Sequence, residues 1–191
     1  METLQTGVIL LRIINEFLVA GRLRMERSQQ SPTQDPLEQM GSEHDQQLQL
    51  LTALEHVIKA EDTKEMFRFA PKLLEFFNVD LARHMEHEEQ GLFPILKRRC
   101  RPTDDLEMII NQLSYEHELD RDLVDFLLAD LEKIAHGHHN ATPARFNINA
   151  QAFIETQRRH IEWENRIVLP LARNRLTEED MTELRNLMSG D

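Results

Sequence analysis

The stretch His84-Met-Glu-His-Glu-Glu-Gln-Gly-Leu-Phe-Pro94 recurs in pattern as His160-Ile-Glu-Trp-Glu-Asn-Arg-Ile-Val-Leu-Pro170. Each copy is His-x3-Glu-x5-Pro. In a helix four residues make about one turn, so each His shares a face with its Glu. One such pair is common in helical proteins. Two copies with the same downstream Pro, each inside its own long apolar-periodic segment, read as a duplicated metal-ligand set and predict a two-metal centre inside a helical bundle.

Working outward, four long helical segments are expected at roughly 37–60, 62–98, 103–135 and 143–174, with a short helix at 177–188. The inward stripes are His44, Leu48, Leu51, Leu54, Ile58 in the first and Ala70, Leu74, Phe77, Leu81, His84, Glu88 in the second. The third carries Ile110, Leu113, His117, Asp120, Val124, Leu127, Leu131, and the fourth Phe146, Ala150, Phe153, Gln157, His160, Glu164, Ile167, Leu171. Spacings that alternate three and four mark the seam of an antiparallel up-down-up-down four-helix bundle. The His and Glu therefore interrupt apolar stripes. His44 and His117 each follow a Glu (Glu43, Glu116) and lie 40 and 43 residues before His84 and His160. Two hairpins, each giving one His from its first helix and His-x3-Glu from its second, would pack about a pseudo-two-fold axis.

The boundaries have their own signals. Residues 1–35 read as an N-terminal helix over 4–26, apolar at Leu4, Val8, Leu11, Ile14, Phe17 and Leu18, with a Pro-containing polar linker; residues 36–191 read as the bundle. Thr103 and Thr177 are expected N-caps, Gly137 a C-cap and Pro143 a helix start. Pro94 and Pro170 are expected to kink or fray the ends of their helices.

A net charge of -12 argues against sequence-independent binding to nucleic acid or an anionic membrane. No run of 18 apolar residues exists, and the N-terminus lacks the basic start of a signal peptide. Cys100 is the single cysteine, which rules out an intrachain disulfide and a thiolate metal site and suits a cytoplasmic location. The apolar face of residues 4–18 could pair two chains into a homodimer.

Buried carboxylates need a partner or a metal. Four His with two bridging Glu would give each of two metals two nitrogens and two oxygens, with a position left for a small ligand. Imidazole with carboxylate suits iron, manganese or zinc.

On Glu43-His44-Asp45, His84-x3-Glu88 with Leu92-Phe93-Pro94, Glu116-His117, and His160-x3-Glu164 with Leu169-Pro170, the chain resembles the haemerythrin-like, or HHE cation-binding, family over residues 36–175. The resemblance implies a four-helix bundle holding a non-haem di-iron centre, oxo- or hydroxo-bridged. It also implies His44, His84, His117 and His160 as ligands and Glu88 and Glu164 as bridges. The oxygen carriers of that family have a further His one turn from the third-helix His and a His-x4-Asp on the last helix. Here Leu113 and Arg121 flank His117, and Asn165 follows His160 at five. The set is more similar to that of the repair-of-iron-centres proteins, which act in nitrosative and oxidative stress; their additional N-terminal Cys-motif domain has no counterpart here. The resemblance implies a protein that reacts with dioxygen, nitric oxide or peroxide, or else a reversible oxygen or iron binding module serving storage or sensing.

Secondary expectations complete the reading. His87 replaces His84 if the helix phase differs. Glu86, Glu89 and Glu162 lie on solvated faces. Asp120 accepts from a ligand imidazole or pairs with an Arg, and Arg121 covers the surface. Tyr115, Trp163 and the Phe residues pack in the core, His56 is peripheral, and His136, His138 and His139 form a loop and helix-end charge pattern.

Overall fold

The computed structural model describes residues 35–60, 63–136 and 144–190. The expected N-terminal helix and linker, Gly137, His138, His139 and Pro143 lie outside them. All regular structure among the described residues is helical. We number five helices. α1 is Pro36–Ala60. α2 covers residues 63–99 without interruption as Thr63–Glu75, Phe76–Leu81, Ala82–Glu86, His87–Leu92 and Phe93–Arg99. α3 is Leu106–Ala135. α4 covers residues 144–175 as Ala144–Trp163, Glu164–Val168 and Leu169–Arg175. α5 is Glu178–Ser189.

α1 to α4 form the antiparallel bundle. Antiparallel neighbours hold the sum of paired residue numbers nearly constant, and α3 and α4 do so: His117 meets His160, and Asp120 meets Gln157. One end of the core is apolar, built from Leu37, Met40, Leu92, Phe93, Leu96, Leu106, Ile110, Leu113, Val168, Ala172 and Leu184. The other end packs Phe77 edge-on to Phe153 at 5.2 Å between ring centres. The site lies between these two apolar blocks.

Pro94 and Pro170 neither fray nor end their helices, because the chain widens just before them. The Phe93 N–H donates to the Glu88 carbonyl, five residues back. The Leu169 N–H does the same to the Glu164 carbonyl. A proline has no N–H to give, so the helix loses a bond there in any case, and a wide turn is the cheap way past it. The helix then continues to Arg99 and to Arg175. The wide turn also resets the phase. After Glu164 the buried positions are Val168 and Ala172, not the expected Ile167 and Leu171, which are half-buried. In α2 the buried series is likewise His84, Glu88, Leu92, Leu96. Three consecutive steps of four residues would rotate an α-helical stripe by about 120°; the wide turns remove that drift.

Three smaller expectations are corrected. Thr103 is not the cap of α3: it lies within the single tight turn Pro102–Asp104, and Asp105, left-handed at φ 48°, precedes the helix. Leu73 rather than Leu74 is buried in α2. Trp163, Tyr115, Phe67 and Phe126 are exposed, since each falls outside the stripe of its helix. Thr177 does cap α5, accepting from the Asp180 N–H while Asp180 accepts from the Thr177 N–H. Asp180 also takes two bonds from Arg99, at 2.7 and 3.0 Å, which ties α5 to α2. Gly91 permits that approach: a Cβ there would stand 2.9 Å from Leu184 Cδ1.

Candidate metal centre

The bundle brings His44, His84, Glu88, His117, His160 and Glu164 together, each at most 4 % exposed. Their inward ends form two four-residue groups, His44–His84–Glu88–Glu164 and Glu88–His117–His160–Glu164, which share both carboxylates. Within each group one atom per residue lies within 4.8 Å of every other.

The atoms are sorted with near-symmetry. His44 Nε2 and His84 Nε2 approach to 3.1 Å, and His117 Nε2 and His160 Nε2 to 3.0 Å. Glu88 turns Oε1 toward His44 and His84 (3.6 and 3.3 Å) and Oε2 toward His117 (3.4 Å). Glu164 turns Oε2 toward His44 (3.2 Å) and Oε1 toward His160 (3.4 Å). Each carboxylate thus spans the two histidine pairs with one oxygen per pair.

The outer nitrogens fix which way the imidazoles donate. His44 Nδ1 meets Asn165 Oδ1 at 2.7 Å, and His84 Nδ1 meets Glu43 Oε2 at 2.9 Å. His117 Nδ1 meets Glu89 Oε1 at 2.7 Å, and His160 Nδ1 meets Glu116 Oε2 at 3.2 Å. All four outer partners are acceptors, so each Nδ1 carries its proton and donates. In the neutral ring this leaves the Nε2 lone pair facing inward, as a metal-binding imidazole requires. Phe93 stacks on His117 with rings 8° from parallel.

The orienting residues follow a rule. Each is the chain neighbour of an inward-facing residue: Glu43 beside His44, Glu89 beside Glu88, Glu116 beside His117, Asn165 beside Glu164. Each serves an imidazole on another helix. The expectation that Glu89 is solvated is therefore wrong, because it is turned to His117 and also accepts from Ser114. Glu86 and Glu162 are exposed as expected. Asp120 meets neither an imidazole nor an Arg: it accepts from Gln157 at 2.7 Å and Thr156 at 3.1 Å. His87 is buried next to the site but stands outside both groups.

Both shared carboxylates are 1 % exposed, and among the described residues none of their four oxygens has a hydrogen-bond partner. The imidazole contacts at 3.2–3.6 Å are charge contacts rather than aligned hydrogen bonds. Four such buried oxygens facing four inward nitrogens require positive charge between them. Protons supply some of it. Burial pushes His44 down, yet the close negative charges of Glu164 and Glu88 outweigh it and raise the imidazole to about 10. In His117 burial is outweighed by Glu88 and Glu89, which raise it to about 9. His160 is raised as well, Glu164 and Glu116 overcoming its burial. Glu116 is held at about 2 by its bond to His160. Borderline metal ions bound by imidazole and carboxylate suit this donor set better than protons do.

The haemerythrin HHE cation-binding domain family matches residues 24–172, which is most of the chain. The chain belongs to that family. Membership implies cation binding, and the His and Glu groups of the bundle can hold a metal ion. No curated protein and no solved structure matches the chain. Among the described residues no helix of this haemerythrin-family chain is long and apolar enough to cross a membrane.

Proposed function

We propose that the chain binds two iron ions, one between His44 and His84 and one between His117 and His160, with Glu88 and Glu164 shared by both. The observation that carries this reading is the division of each carboxylate between two histidine pairs. A site for a single ion has no use for a second pair, and a structural polar core would have given the four carboxylate oxygens donors.

Each ion would take two nitrogens and two oxygens from the protein. Four protein donors leave room in the coordination sphere of iron, the arrangement of a reactive rather than a closed structural site. We propose that the iron pair reacts with dioxygen, nitric oxide or peroxide in a stress-response or iron-centre-repair role. The iron supplies the redox chemistry; the chain's residues do the rest. Glu43, Glu89, Glu116 and Asn165 hold the imidazole tautomers. The apolar blocks above and below, Phe77 with Phe153 and Phe93 with Leu92, exclude bulk water.

The test is metal analysis with an absorption spectrum on anaerobically purified protein, repeated after air. Two irons per chain, with new near-ultraviolet charge-transfer bands after air, are expected. Failure to take up iron after reconstitution would overturn the reading. Bands that vanish again on deoxygenation would move the function to reversible binding.

A further inference from the structure

α3 is one unbroken α-helix over Leu106–Ala135, so its phase can be followed from end to end. At about 100° per residue, Met108, Tyr115, Leu119 and Phe126 fall within about 40° of one another on its circumference. They point away from the core, since the buried Leu113, His117, Val124 and Leu131 occupy the opposite face. The four are 73, 54, 46 and 52 % exposed, and among the described residues nothing covers them. Exposed apolar side chains are ordinary when scattered singly. Four on one line, about 27 Å long, make a stripe.

The stripe reads the same in both directions. Its steps are seven, four and seven residues, symmetric about position 117. A second copy of α3, laid antiparallel across a two-fold axis at that level, sets Met108 against the partner's Phe126 and Tyr115 against the partner's Leu119. Each contact then occurs twice, which is the self-complementarity that a two-fold dimer requires. The polar positions flanking the line obey the same symmetry: Gln112 and Asp122 are equidistant from 117. Each Asp122 therefore meets the partner's Gln112 amide and not a second carboxylate, which matters in a chain of net charge -12. Side chains of this size, half exposed, each hold about 100 Å² of accessible surface. Trp163, 44 % exposed, extends the patch onto α4, because it stands one turn from Arg159, which bonds Glu116 of α3 at 3.2 Å. Five such side chains from each copy, with their polar rim, would bury roughly 1,200 Å² in total, the low end for a specific protein interface.

We propose that the outer face of α3 is a homodimer interface, in which two copies of this chain pair antiparallel about a two-fold axis at the level of His117. The occupant is a second copy because the symmetry of the stripe has no use in a contact with an unlike partner. This surface lies outside the metal centre and does not depend on the two-iron reading. It is also distinct from residues 4–18, whose apolar face the sequence offers for pairing. An interface of this size gives a dimer that dissociates at about micromolar concentration.

The experiment is sedimentation equilibrium on the full chain from about 1 to 200 μM, a range that brackets such a constant. The proteins are wild type, Met108→Lys, Phe126→Glu, the double variant carrying both, and Val79→Glu as a control on α2, where Val79 is 42 % exposed. Wild type should approach twice the chain mass. Each single α3 variant should dissociate at least about tenfold more readily, with helix content by circular dichroism unchanged. Val79→Glu should match wild type. The double variant should regain association, because antiparallel pairing sets each new lysine against the partner's new glutamate, and a mixture of the two single variants should associate for the same reason. Wild type that stays monomeric throughout would overturn the proposal. So would single α3 variants that associate as wild type does, which would place any dimer elsewhere, or a Val79→Glu weakened as much as they are. A double variant as weak as its parents would refute the antiparallel register on which the pairing is built.

Discussion

Removing a shared carboxylate and removing a single imidazole should have different consequences. In the proposed two-iron reading each position would have four protein donors, and Glu164 would give one oxygen to each, since its Oε2 faces His44 and its Oε1 faces His160. His84 gives its inward nitrogen to one position only. Four-donor protein sites bind zinc with about 10–16 kcal/mol, or roughly 2.5–4 kcal/mol per donor. Loss of one donor therefore weakens a position by about 10²–10³-fold. Glu164→Ala should weaken both positions by this factor, whereas His84→Ala should weaken one and leave the other near wild type. Iron titration with metal analysis after dialysis reads the difference: two metals in wild type, one in His84→Ala and close to none in Glu164→Ala at a free-metal level about ten times below the weakened constants. A Glu164→Ala protein that keeps one metal at wild-type affinity would refute the sharing of the carboxylates.

Three further outcomes are expected. Glu89→Gln and Glu116→Gln each replace an orienting carboxylate and should lower metal affinity about 10–100-fold, with secondary structure by circular dichroism unchanged. The metal-free protein should lose stability in alkali. His44 and His117 are raised to about 10 and about 9, so the stability they contribute is complete below about 6.5 and disappears as pH rises through 9 to 10. Thermal midpoints from pH 6 to 10 should fall for chelated protein and stay flatter for loaded protein; parallel curves would refute the linkage. Gly91→Ala should cost about 1–3 kcal/mol by overpacking, because the new Cβ meets the fully buried Leu184, and a denaturant midpoint equal to wild type would contradict the close approach of α5.

The helices were legible because their stripes are long and two of their breaks are marked, by Pro102 and by Thr177. The six inward His and Glu were legible because polar residues on an apolar stripe are costly and therefore conspicuous. What stayed hidden was local. The wide turns have a signal, the buried series His84-Glu88-Leu92-Leu96 and its partner His160-Glu164-Val168-Ala172. Read as alternating threes and fours, the second series instead ends on Ile167 and Leu171, which the structure leaves half-buried. The orienting shell was hidden because each of its members sits on the edge of a stripe, where exposure is the ordinary outcome. Glu89 looks solvated from its own helix; only the approach of α3 turns it to His117. Asp120 was correctly placed inward, but its partners come from α4, and helix phase alone cannot say which side chains of a facing helix reach across.

Asn165 breaks the pattern of the orienting residues. Three imidazoles are backed by carboxylates and His44 by an amide. The difference is not one of net charge, because Arg159 pairs with Glu116 at 3.2 Å on the other side. It is one of donor strength: a carboxylate that accepts from an imidazole makes its inward nitrogen more basic, and an amide does so less. His44 should therefore be the weakest of the four nitrogen donors. Asn165→Asp should tighten the ion between His44 and His84 and leave its neighbour unchanged.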